Sequence, residues 1–118
     1  MFRTTLAVVG AVAVLAAPAA ADDVRWVKLV NPGTGKVLGV ADDSDEAGAR
    51  AALVKDTNSE SQQWKVERDG DVLKVTNRKS GKVLDVNEGS GDEGAAIIQW
   101  DEKTEGTENQ RWAWAGKD

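Results

Sequence analysis

Asp85, Trp100 and the pair Asn109-Gln110 are the residues of this chain whose types could do chemistry together. Asp85 lies inside the apolar run Val83-Leu84-Asp85-Val86, and Trp100 ends a second run, Ile97-Ile98-Gln99-Trp100. Asn109-Gln110 stands directly before Arg111-Trp112. A carboxylate accepts paired hydroxyls, an indole offers a flat π face to the axial C–H bonds of a sugar ring, and an amide adds a hydrogen bond. Brought together by folding, these are the parts of a sugar site. Asp is poor in strands and rarely buried without a partner, so Asp85 is out of place as a mere strand residue. Trp100 is followed by Asp101, which predicts one indole face against water. The competing reading has Asp85 capping a turn and Trp100 packing on its hairpin. One shallow site of this kind binds near millimolar, worth roughly 4 kcal/mol, so useful binding needs several sites at once.

The elements that must position these residues come in two copies. Val30-Asn31-Pro32-Gly33-Thr34-Gly35-Lys36-Val37-Leu38-Gly39-Val40 aligns with Thr76-Asn77-Arg78-Lys79-Ser80-Gly81-Lys82-Val83-Leu84-Asp85-Val86 at an offset of 46. The offset holds through Gly48 and Gly94 and grows by two before Gln62-Gln63-Trp64, which matches Gln110-Arg111-Trp112. Repeat one spans 26–68 and repeat two 72–116. Such self-similarity is the mark of a duplicated supersecondary unit.

Each unit reads as four short strands. Copy one gives Trp26–Asn31, Val37–Val40, Arg50–Val54 and Gln63–Glu67; copy two gives Val72–Thr76, Val83–Val86, Ala96–Trp100 and Arg111–Trp114. Pro-Gly, Asp-Gly and Ser-Gly turns separate them, and no segment holds a helical period over three turns. Asp69-Gly70 suits a tight turn joining the copies. The fold class is therefore all-β, with about eight strands. Trp64, Val66, Trp112 and Trp114 fall two apart on one face and are expected in the core. The Gln before each Trp-containing strand should tie a turn backbone by its amide, and Trp26 should cover an end of the barrel.

At 118 residues the chain bounds one small domain. Met1-Phe2-Arg3, the apolar run Leu6–Ala17 and Pro18-Ala19-Ala20-Ala21 before Asp22 have the form of a secretory signal peptide over 1–21. The mature domain would then be 22–118, about 97 residues, and losing Arg3 moves the formal charge from −5 to −6. That acidity disfavours nucleic acid and anionic membrane. With no His and no Cys, the ordinary zinc sets, the Ser-His and Cys-His chemistries and disulfides are absent. No metal and no cofactor is expected.

Gln-x-Trp closing a unit of this length, with Ser80-Gly81-Lys82-Val83-Leu84-Asp85-Val86 near its start, resembles the ricin-type β-trefoil lectins. The likeness is greatest to secreted bacterial members and to carbohydrate-binding modules of secreted glycanases. The resemblance implies three units in a complete fold, a six-stranded barrel with a hairpin cap, and a shallow sugar pocket on a unit. Carried onto this chain, it makes Asp85 the hydroxyl acceptor, Trp100 the stacking platform, Asn109 the amide and Gln110 the brace. Ile98 stands where many members have a polar residue, and the neighbouring Gln99 could shift in. Copy one has Gly39, Val54 and Ser61 at the matching positions, so its pocket should be dead. Only two of the three units are read here, a partial trefoil, which implies a homo-oligomer completing the barrel, an altered two-unit barrel, or a degenerate remnant.

The reading is thus a secreted, non-catalytic, lectin-like module whose partner is a glycan or polysaccharide. Its alternative is a protein-binding or protease-inhibitor-type trefoil with a vestigial pocket. Glycosidase chemistry needs paired carboxylates at a set separation, whereas the acids here lie in turns, where a raised pKa is not expected. The run Asp42-Asp43-Ser44-Asp45-Glu46 lacks the spacing of a calcium loop and reads as a solvated turn.

Overall fold

Alternating apolar residues punctuated by glycine turns fold into two antiparallel sheets. A computed structural model describes residues 25–116; the signal peptide expected over 1–21 lies outside the described residues. The first sheet has the order β1 (Val30–Asn31), β2 (Lys36–Val40), β3 (Ala51–Val54). The second has the order β4 (Trp64–Asp69), β5 (Val72–Asn77), β6 (Val83–Val86), β7 (Ile97–Trp100). The remaining regular pieces described are 3-10 turns at Ala41–Asp43, Glu60–Gln62, Asn87–Gly89 and Glu108–Gln110. This is the all-β architecture that the sequence pattern predicts, in the partial trefoil that the resemblance implies. Asp69 pairs with Val72 across a two-residue turn, where Gly70 takes φ 66°, so the copies join as expected.

The duplication is visible bond by bond. Trp64 Nε1 donates to the Leu38 carbonyl at 3.0 Å, and Trp112 Nε1 donates to the matching Leu84 carbonyl at 3.3 Å. Val27 bridges Trp64, and Leu73 bridges Trp112. The core gathers Val40, Trp64, Val75 and Leu84, with Val66, Ile97 and Trp112 packed around them. It draws on both copies.

Two strands are much shorter than the sequence predicts, while β3 and β7 each begin one residue late. The segment Trp26–Asn31 splits into a bridge at Val27 and the short β1, because the chain there leaves Trp64 to join the hairpin of β2. The expected last strand, Arg111–Trp114, is reduced to the single bridge at Trp112. Trp114 is not in the core but 76 % exposed. A strand held along one edge only has nothing to keep its far residues on the sheet. Trp26 is half-buried, with the Lys65 ammonium and the Arg78 guanidinium each within 6 Å of its ring centre, at 5.7 and 5.6 Å.

The seam between the copies is polar and specific. Gly48 N–H donates to the Gln99 carbonyl at 2.8 Å, and Gln99 N–H donates to the Ala49 carbonyl at 2.9 Å. The Gln99 side chain is fully buried; its Nε2 donates to the carbonyls of Ser44 and Glu46, and its Oε1 accepts from the Ser80 hydroxyl. Asn77 Nδ2 donates to the Ser61 carbonyl at 2.8 Å. Asp43 completes the seam, accepting from the Ser59 and Ser61 hydroxyls and from Lys79 Nζ. The acidic run is therefore more than a solvated turn: one of its members pins copy one to copy two.

Those partners, Ser61 first, then Ser59 and Lys79, hold the Asp43 carboxyl down to about 2. A carboxyl depressed on folding contributes its stabilisation fully above the ordinary carboxylate range and loses it as pH falls through the depressed value. The melting temperature of Asp43→Asn should therefore lie below that of the parent at pH 7. The gap should close as pH falls from about 4 to about 2, followed by thermal melts across that window. A gap independent of pH would show that Asp43 works through packing rather than charge.

Candidate functional site

Strand β6 delivers Asp85 to the site. Val83 and Leu84 anchor the strand in the interior, and Asp85 follows with only 3 % of its surface exposed. It pairs with Ile98 on β7, and Ile98 and Trp100, two apart, share a face of that strand. Trp100 is 43 % exposed. Its ring edge lies over Gly48 of copy one, where an added Cβ would be 3.8 Å from Cζ3. Copy one thus packs against the platform that copy two presents.

The turn Glu108–Gln110 brings in the amides. Gln110 is fully buried: its Oε1 accepts from Lys103 N–H at 2.9 Å, and its Nε2 donates to the Asp101 carbonyl at 3.0 Å and to Asp85 Oδ2 at 2.9 Å. Asn109 Nδ2 donates to Asp85 Oδ1 at 3.2 Å and to the Val86 carbonyl at 3.0 Å. All four residues singled out from the sequence, Asp85, Trp100, Asn109 and Gln110, stand together. Gln62 makes the matching bonds in copy one, to the Lys55 carbonyl and from Thr57 N–H, so both glutamines tie turn backbones as their motif suggests.

The geometry differs from the expected one in its polarity. Asp85 is recessed rather than spread to solvent, and each oxygen already accepts one amide hydrogen. A carboxylate oxygen has two lone pairs, so one acceptor position per oxygen remains. Both hydrogens of the Asn109 amide are spent on acceptors, which fixes which end is nitrogen. Its carbonyl oxygen is the atom left for a ligand. Together these atoms form a wall of acceptors that suits hydroxyl donors.

Asp85, Ile98, Trp100 and Asn109 line one open cleft of about 800 Å³, within the range of small-molecule sites. Asn87, Glu88, Gly89 and Ser90 form one rim, and Lys103, Gly106 and Glu108 another. Sequence reasoning missed these rim residues. The signal available was indirect: the glutamine of Gln-x-Trp bonds the backbone at Lys103, which fixes the loop beside it. Gln99 does not shift in to replace a polar residue at Ile98. The pleat points it to the opposite face, where the seam consumes its amide.

Copy one is too closely packed at the corresponding place to take a side chain like that of Asp85. A Cβ at Gly39 would lie 2.7 Å from Val54 Cγ2 and 3.1 Å from Gln62 Cγ. Ser61, matching Asn109, spends its hydroxyl on Asp43.

The sequence matches the model of the family described as ricin-type beta-trefoil lectin domain-like over residues 16–100. A designed three-fold symmetric protein, ThreeFoil, is similar in structure with TM-score 0.71 and 34 % identity, over 77 % of this chain and 64 % of that one. The exo-beta-1,3-galactanase 1,3Gal43A from Clostridium thermocellum is similar with TM-score 0.69 and 38 % identity, over 81 % of this chain but 20 % of the enzyme. The mdaA-1 domain follows with TM-score 0.59 and 29 % identity, over 69 % of this chain and 49 % of that domain's chain. This chain therefore spans less than two thirds of each of these proteins. A search of curated proteins gives no match. With the duplicated units, their Gln-x-Trp bonds and the family match in agreement, the chain belongs to the ricin-type beta-trefoil lectin-like family, whose fold is generally a non-catalytic carbohydrate-binding one.

Proposed function

We propose that this chain is an exported carbohydrate-binding module that binds glycan through the cleft of its second unit. One observation carries the reading: Asp85, held by Asn109 and Gln110, shares a cleft with the half-exposed ring of Trp100. Asp85 and the Asn109 carbonyl accept sugar hydroxyls, Trp100 stacks on the ring, and Gln110 keeps the carboxylate in place without reaching the ligand. A 38 % identical stretch of a galactanase makes 1,3-linked galactan a first ligand to test, beside neutral xylan. Trp100→Ala should weaken binding about tenfold, the loss of one stacking face and its buried area. It should lower the melting temperature by only a few degrees, because the ring is already 43 % exposed. Titration calorimetry with thermal melts measures both. Glycan binding that survives this change and the loss of Asp85 would place the site outside this cleft, and no glycan binding by the parent would favour the protein-contact reading instead.

Association of two copies has its own support. Leu53 is 51 % exposed, whereas its counterpart Gln99 is fully buried against the other unit; Leu29, 42 % exposed, stands across β2 from Leu53. Covering position 53 by a second copy would bury that apolar surface and place clefts side by side. Expressed from its full sequence, the protein should be recovered outside the cell beginning at Asp22 and should sediment as more than one chain at micromolar concentration. A retained leader, or a strictly monomeric species, would refute the corresponding half of this reading.

A further inference from the structure

The cleft carries a charge that hydroxyl recognition by itself does not require. Three carboxylates line it, Asp85, Glu88 and Glu108, against one ammonium, Lys103. Among the described residues none of these four is in an ion pair, unlike Lys74, Lys79 and Arg111 elsewhere on the surface. Glu88 and Glu108 are exposed and come from two short turns, one beside Asn109 and the other containing it. The Asn87–Gly89 turn is fixed by Asn87 N–H to the Ala96 carbonyl and Ser90 N–H to the Asn87 carbonyl, so Glu88 is not carried on a loose loop. Behind these rim charges, Asp85 and the Asn109 oxygen present acceptors alone. A ligand entering here must donate hydrogen bonds and must tolerate negative potential.

We infer that the cleft takes neutral and amino sugars and rejects glycans bearing carboxylates, with Glu88 and Glu108 as the rim charges that set this preference. The inference rests on the carbohydrate reading above and narrows its ligand class. A sugar carboxylate can neither donate to Asp85 nor approach the rim without repulsion, whereas a protonated amine gains on both counts. With two unbalanced charges a short distance away through water, the discrimination should be about five- to tenfold at low salt. It should fade as ions screen the exposed pair, with a Debye length of about 30 Å at 0.01 M and about 3 Å at 1 M.

The test measures binding of neutral 1,3-linked galactan and xylan fragments, polygalacturonate fragments and chitosan fragments, at pH 6 in 10 mM and 500 mM salt. Neutral fragments should bind with little salt dependence. Chitosan should bind more tightly at low salt, and polygalacturonate at least about fivefold more weakly than the neutral set. Glu88→Gln with Glu108→Gln should narrow the acidic-to-neutral gap severalfold. Asp45→Asn with Asp71→Asn removes the same charge from exposed positions outside the cleft and should not narrow it. If neither neutral nor amino fragments bind, the carbohydrate reading itself falls. If they bind and polygalacturonate binds equally well at low salt, only the present inference falls. A gap that the remote pair narrows as much as the rim pair would overturn the assignment to Glu88 and Glu108.

Discussion

Asp85→Ala is expected to abolish measurable glycan binding while leaving a folded protein. The carboxylate supplies the acceptor positions at the base of the cleft, and hydrogen bonds to a charged group are worth about 1.5–3 kcal/mol each. Losing the acceptor positions of both oxygens weakens binding by about a hundredfold or more, which takes a millimolar site beyond detection. The fold bears a smaller loss. Asn109 Nδ2 keeps the Val86 carbonyl, and Gln110 Nε2 keeps the Asp101 carbonyl, so neither amide is orphaned. A destabilisation of about 1–2 kcal/mol follows from the loss of two bonds in a nearly closed space. Asp85→Asn separates charge from shape. One end of its amide must turn an N–H₂ toward the N–H₂ of Asn109 or of Gln110, so the near-isosteric change should be no more stable than the alanine. Calorimetric titration and denaturant melts of both variants check this. Parent-like binding by Asp85→Ala would remove the site from this cleft.

The duplicated pattern carried most of the fold because it is written in local chemistry. Gly35 and Gly81 adopt matching positive φ, as do Gly48 and Gly94, and the two glutamines repeat the same backbone bonds. Such features depend on neighbours a few residues away. What the pattern could not give is which side of a strand another unit covers. Trp114 lies two residues beyond Trp112, and alternation puts both on one face, yet only a neighbouring strand would bury it. Gln99 is the converse case. A polar residue beside a pocket looks available to it, but its direction is set by the pleat and its fate by the seam with Gly48 and Ala49. The four residues that meet in the candidate cleft were legible in residue type and spacing. Its recessed carboxylate and its acidic rim were not, because burial and turn packing decide them.

Dependence of the second unit's cleft on the first unit's core leads to the other large effect. Trp64→Ala should cost about 3–5 kcal/mol, since the side chain is fully buried and its removal leaves a cavity. Its indole bond to the Leu38 carbonyl adds about 1 kcal/mol. In a domain this small that loss lowers the melting temperature by about 15–50 °C. Trp112→Ala, at the matching position of copy two, should cost clearly less. Trp112 is only half-buried and its indole bond is longer, at 3.3 Å. Far-UV circular dichroism melts rank the two without relying on indole fluorescence. Binding should follow the same order, because Leu84 packs in the cluster of Trp64 and Leu84 directly precedes Asp85 on β6. A cavity at Trp64 loosens the strand that aims the carboxylate, although Trp64 lies outside the cleft lining. If Trp112→Ala proved the more damaging, the core would be centred on copy two, and copy one would be an appendage rather than the support of the site.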